Sequence, residues 1–509
     1  MSETCDLLVV GGGINGVAIA RDAAGRGLKV LLCEKGDLAA ATSSASSKLV
    51  HGGLRYLEHG DFRLVRESLV EREVLLRMAP YLVRPMRFVL PQGPGSRPRW
   101  LVRAGLFLYD RLGGARSLPG ARALDLRHDP LGRPLRVPGA GFVYADCRVD
   151  DARLTVTTAR DAAERGATIL IRTALVSARR EPDGWHATLQ TEGGAAREVA
   201  ARVLVNAAGP WVLDVQRLAG LSSAATLRLV KGSHIVVPQL YEGDHAYLLQ
   251  NDDRRIVFVI PIERDFSLIG TTELPFSGDP TSVAVSEAEV AYLCHAVARW
   301  FDTPPVASDV VWRYAGVRPL YEDRARSASA VTRDYVFDLD TAGAPALSIF
   351  GGKLTTHRRL AEHALARLTP HLPKAAPAWT ADSLLPGGVD LPLGGIAALA
   401  VELVRDHPTI DTATAERLAQ SYGDEARQIL GGPPGHDFGH GFREAELRWL
   451  IEREWACTAE DVLWRRSKLG LVMSSDEAQQ IAAFLARVKG PAAPPETAAN
   501  APAGQTAYR

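Results

Sequence analysis

The sequence predicts an α/β fold: a sheet opened by a Rossmann-type βαβ unit, an inserted antiparallel sheet, and a helical C-terminal part. Three patterns predict it. A strand–glycine turn–helix–strand run fills the first 35 residues. Alternating apolar and polar residues occupy 226–275 and 309–320, and helical periodicity takes over from about 396 to 488. The 509 residues, 46% hydrophobic and 23% charged, provide a large core divided among roughly two to four domains.

The opening run sets the first element. "CDLLVV" is a short apolar strand, "GGGINGVAIARDAAGRG" breaks it and starts a helix, and "LKVLLCEKGD" is a second strand that ends in Glu34. Gly11, Gly13 and Gly16 stand in the G-x-G-x-x-G spacing of a dinucleotide site. Gly11 permits the tight turn, Gly13 lets backbone approach a pyrophosphate, and Gly16 lets helix pack on strand. The helix N-terminus turns its free N–H groups toward phosphate, and Glu34 is placed to accept from a ribose.

Next comes "ATSSASSKLVHGGLRYLEHG", residues 41–60, whose first half has the composition of a linker. It lies between a strand and a strongly periodic helix (61–80, Asp61 as N-cap, Pro80 as stop), so a binding loop is expected instead. Residues 84–145 are rich in Pro, Gly and Arg, with one apolar stretch, "RPRWLVRAGLFLYDRLGG". A helix from 151, strands at "TILIRTALVSARR", "WHATLQT" and "RVLVNAAGPWV", and the alternating stretches follow. "PALSIFGGKLTTHRRLAEHALARL" then repeats the strand–glycine–helix punctuation, and the last twenty residues have the composition of a disordered tail.

Net charge is zero, which gives no reason to expect a nucleic-acid partner. Five scattered cysteines without a CxxC pair point to reduced thiols in the cytosol and to no cysteine-built metal site; no metal is expected. The start MSETCD lacks the basic region of a signal peptide, and no apolar run is long enough to span a bilayer.

Together GGGINGVAIARDAAGRG, ATSSASSKLVHGGLRYLEHGDFRLV, LVNAAGPWV, LVKGSHIVVP, RIVFVIP, IGTTE, GVRPL and FGGKLTTHRRLAEHAL resemble the FAD-dependent, quinone-linked glycerol-3-phosphate dehydrogenases. The resemblance runs from residue 7 to about 370, and "DFGHGFREAELRWLIEREW" and "DVLWRRSKLG" extend it toward the C-terminus. It implies a discontinuous FAD domain of the glutathione-reductase and amino-acid-oxidase type, formed by 1–80, 146–225 and 326–385. A cap segment at 81–145, a β-rich substrate cap at 226–325, a helical domain at 386–489 and a tail at 490–509 complete the expected division. His357 departs from the pattern, which has tyrosine there.

FAD contacts are expected from Gly11, Gly13, Ile14, Asn15, Gly16, Glu34 and Lys35 at the ADP end. The hydroxyls of Thr42, Ser43, Ser44, Ser46 and Ser47 are expected to donate to phosphate or flavin oxygens, with Lys48, Gly52 and Gly53 beside them. Val176, Ala208, Gly209, Gly351, Gly352, Leu354 and Thr355 complete the set. The resemblance places Arg55, Arg318 and Lys353, with Tyr56 and Thr271, around the phosphate and hydroxyls of glycerol 3-phosphate. Arginine's planar fork suits phosphate oxygens.

Alcohol oxidation needs a base for the hydroxyl proton. His51 and His234, both inside binding motifs, are the two candidates, and Lys353 follows them because a nearby phosphate would keep it charged. The expected partners are a membrane quinone and the inner face of the cytoplasmic membrane; a homodimer is compatible. Residues 97–112, which mix Trp100, Leu106, Phe107 and Tyr109 with four arginines, either lie on that membrane or pack into the cap. An oxygen-using oxidase of the same fold, or a flavin-binding redox sensor without turnover, are the alternatives.

Overall fold

The computed structural model describes residues 3–489 except 94, 222–224, 254 and 323–333; the expected tail at 490–509 lies outside the described residues. Two sheets organise the chain. In the first, five strands run parallel in the order Ala346–Phe350, Ala196–Asn206, Glu3–Val10, Val30–Cys33, Thr168–Leu170, and Val336–Asp340 adds an antiparallel edge. The three helices Ile14–Gly25, Asp151–Glu164 and His357–Leu368 cover one face through Val17, Ala20, Leu154, Val156, Leu360 and Ala364. The hairpin Thr173–Glu181 and Gly184–Thr191, with Trp185 fully buried, covers the other. Ile14–Gly25 is apolar almost all round because it is enclosed on several sides.

Register matters more than order here. Val10 is level with Cys33 on one side and Asn206 on the other, so three parallel strands end in one row. Gly11 N–H then donates to Cys33 O at 2.8 Å and Ala207 N–H to Val10 O at 2.9 Å. Ligands of open α/β sheets bind at such carboxyl ends.

The second sheet has ten strands and is antiparallel except for one parallel pair, Ala246–Gln250 beside Val83–Pro91. It draws Trp312–Glu322 and the strands of 226–275 from the expected cap. It also takes Leu49–Val50, Val83–Pro91, Arg122–Asp125 and Ala140–Val149 from the first 150 residues. Those early strands do not show in the proline-rich composition of 84–145. Pro85 is tolerated because its strand pairs there with one neighbour only, Ala140–Val149, and meets the second neighbour three residues later. Because Leu49–Val50 belongs to the second sheet, the hydroxyl-rich loop crosses from one sheet to the other. The expected helix after it is Phe62–Met78, although the Asp61 side chain makes no cap bond.

The C-terminal helices Gly395–Asp406, Thr412–Tyr422, Ala426–Leu430, Glu444–Glu454 and Ser475–Lys489 pack around their own core of Leu399, Leu418, Phe442, Leu447, Leu450 and Phe484. Buried ion pairs fasten that core to the parallel-sheet unit. Arg153 donates to Glu454, both almost fully buried, and Arg160 reaches Glu425 at 2.6 Å. Removing one partner of such a pair strands the other charge in a medium that cannot solvate it. Arg153→Ala should therefore lower unfolding free energy by about 3–5 kcal/mol, and the apolar double variant Arg153→Leu/Glu454→Leu by distinctly less. Urea unfolding of Arg153→Ala and of the double variant checks this.

Candidate active site

One cavity of about 1770 Å³ runs between the two sheets, beyond the roughly 300–1,000 Å³ of a common ligand pocket. Its first end is the turn after Glu3–Val10. A side chain is impossible at Gly11, where φ is +114° and a Cβ would lie 2.5 Å from Ala207 O. A Cβ at Gly16 would lie 2.0 Å from Gly11 O, so Gly16 serves helix–strand packing and stands outside the cavity lining. Glu34 takes Gly12 N–H at 2.6 Å and Gly36 N–H at 2.7 Å on separate oxygens. Burial raises its pKa, and those two bonds offset part of the rise. Each carboxylate oxygen keeps acceptor capacity for a ribose.

The hydroxyl loop is built differently from the sequence expectation. Thr42 Oγ1 donates to Val317 O, Ser44 Oγ to Ala41 O, and Ser46 Oγ to Asp151, so three of the five donors are already used on protein. Ser43 Oγ accepts from Ile14 N–H at 2.9 Å and keeps its own O–H for a phosphate; Ser47 Oγ sits 2.9 Å from His234 Nε2. A local turn must satisfy its own backbone first, and these side chains do that.

The lining includes Gly11, Gly13, Ile14, Asn15, Glu34, Lys35, Thr42, Ser43, Ser44, Ser46, Ser47 and Gly53. It continues through Ala208, Gly209, Gly351, Gly352, Leu354 and Thr355. Lys48 is outside it, paired with Asp151 at 2.7 Å, and Gly52 packs against Leu69 and Tyr109 instead. Val176 is 44% exposed and also outside, while Thr173, Ala174 and Leu175 line the wall in its place. Asn15 ties the two ends together: its Nδ2 donates to Gly351 O at 3.1 Å, and its buried Oδ1 has no partner. Gly351 and Gly352 hold φ of +72° and +95°, a conformation only glycine adopts freely.

At the far end Arg55, Tyr56, Thr271, Arg318, Lys353 and His51 share the wall. Lys353 Nζ lies 3.8 Å over the Tyr56 ring, and Arg55 meets Glu273 at 3.5 Å. Thr271 Oγ1 and an Arg318 terminal nitrogen flank Gly232, 2.8 and 3.2 Å from where its Cβ would be. Burial, then the charges of Lys353 and Arg318, bring the His51 pKa down to about 4, so its ring is neutral at pH 7. His51 N–H meets Thr355 Oγ1 at 3.3 Å, joining it to the late glycine turn.

His234 is not in the lining. It is 2% exposed, stacks on the lining residue Tyr314 at 4.9 Å and sits 2.9 Å from Ser47 Oγ, so it stands behind the wall that these two form. Of the two histidine candidates, the structure brings only His51 to the cavity face. His357 is buried, bonded to Leu354 O at 2.7 Å, and outside the lining. The sequence reading missed Trp211, Phe258, Glu273, Trp312 and, from the C-terminal domain, Trp464 and Arg465. Trp211, Phe258, Glu273, Trp464 and Arg465 all stand inside the quoted motifs LVNAAGPWV, RIVFVIP, IGTTE and DVLWRRSKLG; Trp312 carries no local signal.

The cavity's glycine cradle, its unpartnered Asn15 oxygen and its length fit FAD. The fold and site define an FAD-dependent oxidoreductase. The family model described as FAD dependent oxidoreductase matches residues 6–358, and the C-terminal domain of alpha-glycerophosphate oxidase matches 378–491. The chain belongs to that oxidoreductase family, in the branch that holds the glycerol-3-phosphate dehydrogenases. It is 50% identical to the glycerol-3-phosphate dehydrogenase of Pseudomonas aeruginosa (95% of this chain, 96% of the relative). It is 48% identical to the aerobic enzyme of Escherichia coli (95% and 97%). D-erythritol 1-phosphate dehydrogenase of Brucella abortus is 52% identical (93% and 96%). The crystal structure of glycerol-3-phosphate dehydrogenase from Bacillus halodurans complexed with FAD superposes with TM-score 0.74 at 25% identity, covering 95% of this chain and 94% of that one.

One support of the site is titratable. Glu289, 4% exposed, accepts from Lys231, Ser233, Thr272 and Ser286, and so fixes the residues next to His234 and Thr271. Burial raises its pKa, but hydrogen bonds from Lys231, Ser286 and Ser233 outweigh it and bring it to about 2. A depressed carboxylate stabilises the fold above its unfolded pKa of about 4.3 and loses that contribution as pH falls toward 2. Glu289→Gln should thus be clearly less stable than the native protein at pH 7, with the gap narrowing between pH 4 and pH 2; urea midpoints across that range measure it.

Proposed function

We propose that the protein oxidises glycerol 3-phosphate to dihydroxyacetone phosphate and passes the electrons to a membrane quinone. The observation that carries this reading is the convergence of Arg55, Arg318 and Lys353 on one wall with a neutral His51. The cations bind the phosphate dianion, and Thr271 and Tyr56 orient the hydroxyls. FAD, when bound, accepts the hydride from the carbinol carbon. A ring nitrogen of His51 takes the hydroxyl proton. In the free protein Lys353 and Arg318 weaken His51 as a base; a bound phosphate offsets their charge, so substrate raises its basicity when the proton must move. Gly11, Gly13, Asn15, Glu34 and Ser43 would hold the ADP half of FAD, and the Gly351–Thr355 turn its flavin end, where helix N–H groups favour negative charge.

D-Erythritol 1-phosphate is a second reading, favoured by the 52% identical relative. Anaerobic mixing with each ester separates them: the true substrate bleaches the flavin absorbance faster, and bleaching by neither ester overturns both readings. With the preferred ester, Arg318→Ala should lose about ten- to a hundred-fold in kcat/KM and much less with neutral glycerol. His51→Gln should slow bleaching by about 10²–10⁴-fold.

For the membrane, the helix Arg99–Leu112 gives a divided answer. Leu106 and Tyr109, each 2% exposed, pack into the core under it, whereas Trp100 (72%) and Phe107 (59%) face outward. No described helix is long and apolar enough to cross a membrane. Leu101, Leu108 and Phe62 also line the cavity, which supports this face as the route for a lipid-soluble acceptor. Trp100→Ser/Phe107→Ser should weaken vesicle flotation and slow quinone reduction while activity with a soluble dye stays native. Unchanged flotation places the contact elsewhere.

A further inference from the structure

The C-terminal domain takes no part in the chemistry above, yet one turn of it reaches the cofactor side of the cavity. Asp461–Arg466 is a π-helical turn, with Ser467 N–H bonded to Val462 O at 3.0 Å. Such turns alter the stagger of their side chains and are frequent at functional positions. Trp464 and Arg465 here line the cavity, and Trp464 stacks on Trp312 of the second sheet at 4.4 Å. Arg466 donates to both oxygens of Asp37 at 2.6 and 2.7 Å, and Arg465 Nε adds a bond at 2.6 Å. Asp37 is 3% exposed and Arg466 0%. Asp37 begins the hydroxyl loop, three residues after Glu34.

The same segment secures the loop's other end. Lys468 donates to Asp150 at 3.0 Å, and the neighbouring Asp151 accepts from Ser46 N–H, Ser46 Oγ and Lys48 Nζ. Asp461 holds Arg172 at 2.9 Å, whose backbone N–H donates to Gly36 O. Residues 37–48 are thus fastened at the first position directly and at Ser46 and Lys48 through the Asp150–Asp151 corner. Thr42, Ser43 and Ser44 lie between those points, facing the cavity.

We propose that the Asp461–Arg466 turn is a latch that keeps residues 37–48 closed over FAD, so that cofactor retention depends on the C-terminal domain. The buried pair cannot part without leaving unpaired charge in the interior, so opening of the loop and displacement of the turn are one event. By linkage, FAD must stabilise the turn as much as the turn stabilises bound FAD.

The test uses the full-length, FAD-loaded protein. Asp37→Asn removes the charge and keeps the shape, and FAD release, read as recovery of flavin fluorescence on dilution, should be about ten- to a hundred-fold faster. Asp37→Glu, which keeps the charge, should restore most of the retention. Release from Asp37→Asn within twofold of native overturns the proposal. Where Asp37→Asn fails to fold by circular dichroism, hydrogen exchange on the native chain decides. Stripping FAD should speed exchange in 461–468 at least tenfold together with 37–48, and leave Thr412–Tyr422 unchanged. Acceleration of 37–48 alone overturns the latch.

Discussion

Everything in this site is referred to one tight turn. Three parallel strands stop level at Val10, Cys33 and Asn206, and the chain must leave the first of them through a space that holds no Cβ. Gly11 fills that space, and the helix that follows then points its N-terminus along the row of strand ends. Asn15, the second residue of that helix, bonds Gly351 O across 336 residues of sequence. Ser43 takes the Ile14 N–H from the crossing loop. A shift of this turn would move Glu34, Ser43 and the Gly351 turn together.

The opposite end of the cavity is governed by charge. Two cations, Lys353 and Arg318, stand near a histidine that burial already disfavours in its charged form, so His51 is neutral and able to accept a proton. The arrangement is asymmetric in a useful way. In the proposed reaction, positive charge would attract the phosphate and weaken the base until the phosphate arrives, which would couple binding to proton abstraction. His234 is equally neutral but lies behind Ser47, where its stacking on Tyr314 makes it part of the wall's support.

Support of this kind comes from outside both ends. Glu289 ties the strand of Ser233 to the turn of Thr272, and the C-terminal domain ties down both ends of the hydroxyl loop. Both devices are buried, multiply hydrogen-bonded ionic groups. Their strength lies in the cost of breaking them, which makes each segment move as a unit or not at all.

Local pattern carried much of this. The βαβ unit, the glycine spacing, Glu34, the late glycine turn, the helical C-terminal part and the arginine and lysine motifs are all readable in short stretches, because each answers a local demand of backbone geometry or charge. The early strands of the second sheet were hidden, since Pro85 is acceptable only at a position where one neighbouring strand is missing. The hydroxyls of Thr42, Ser44 and Ser46 looked like ligand donors until their protein acceptors, Val317 O, Ala41 O and Asp151, were in place. By itself the sequence determined which backbone turns and which charges are present. Only the tertiary structure decided that His51 and not His234 faces the cavity, that Leu106 is core while Phe107 is surface, and that residues near 465 reach Asp37. Those outcomes depend on burial and on partners hundreds of residues away, which no local spacing encodes.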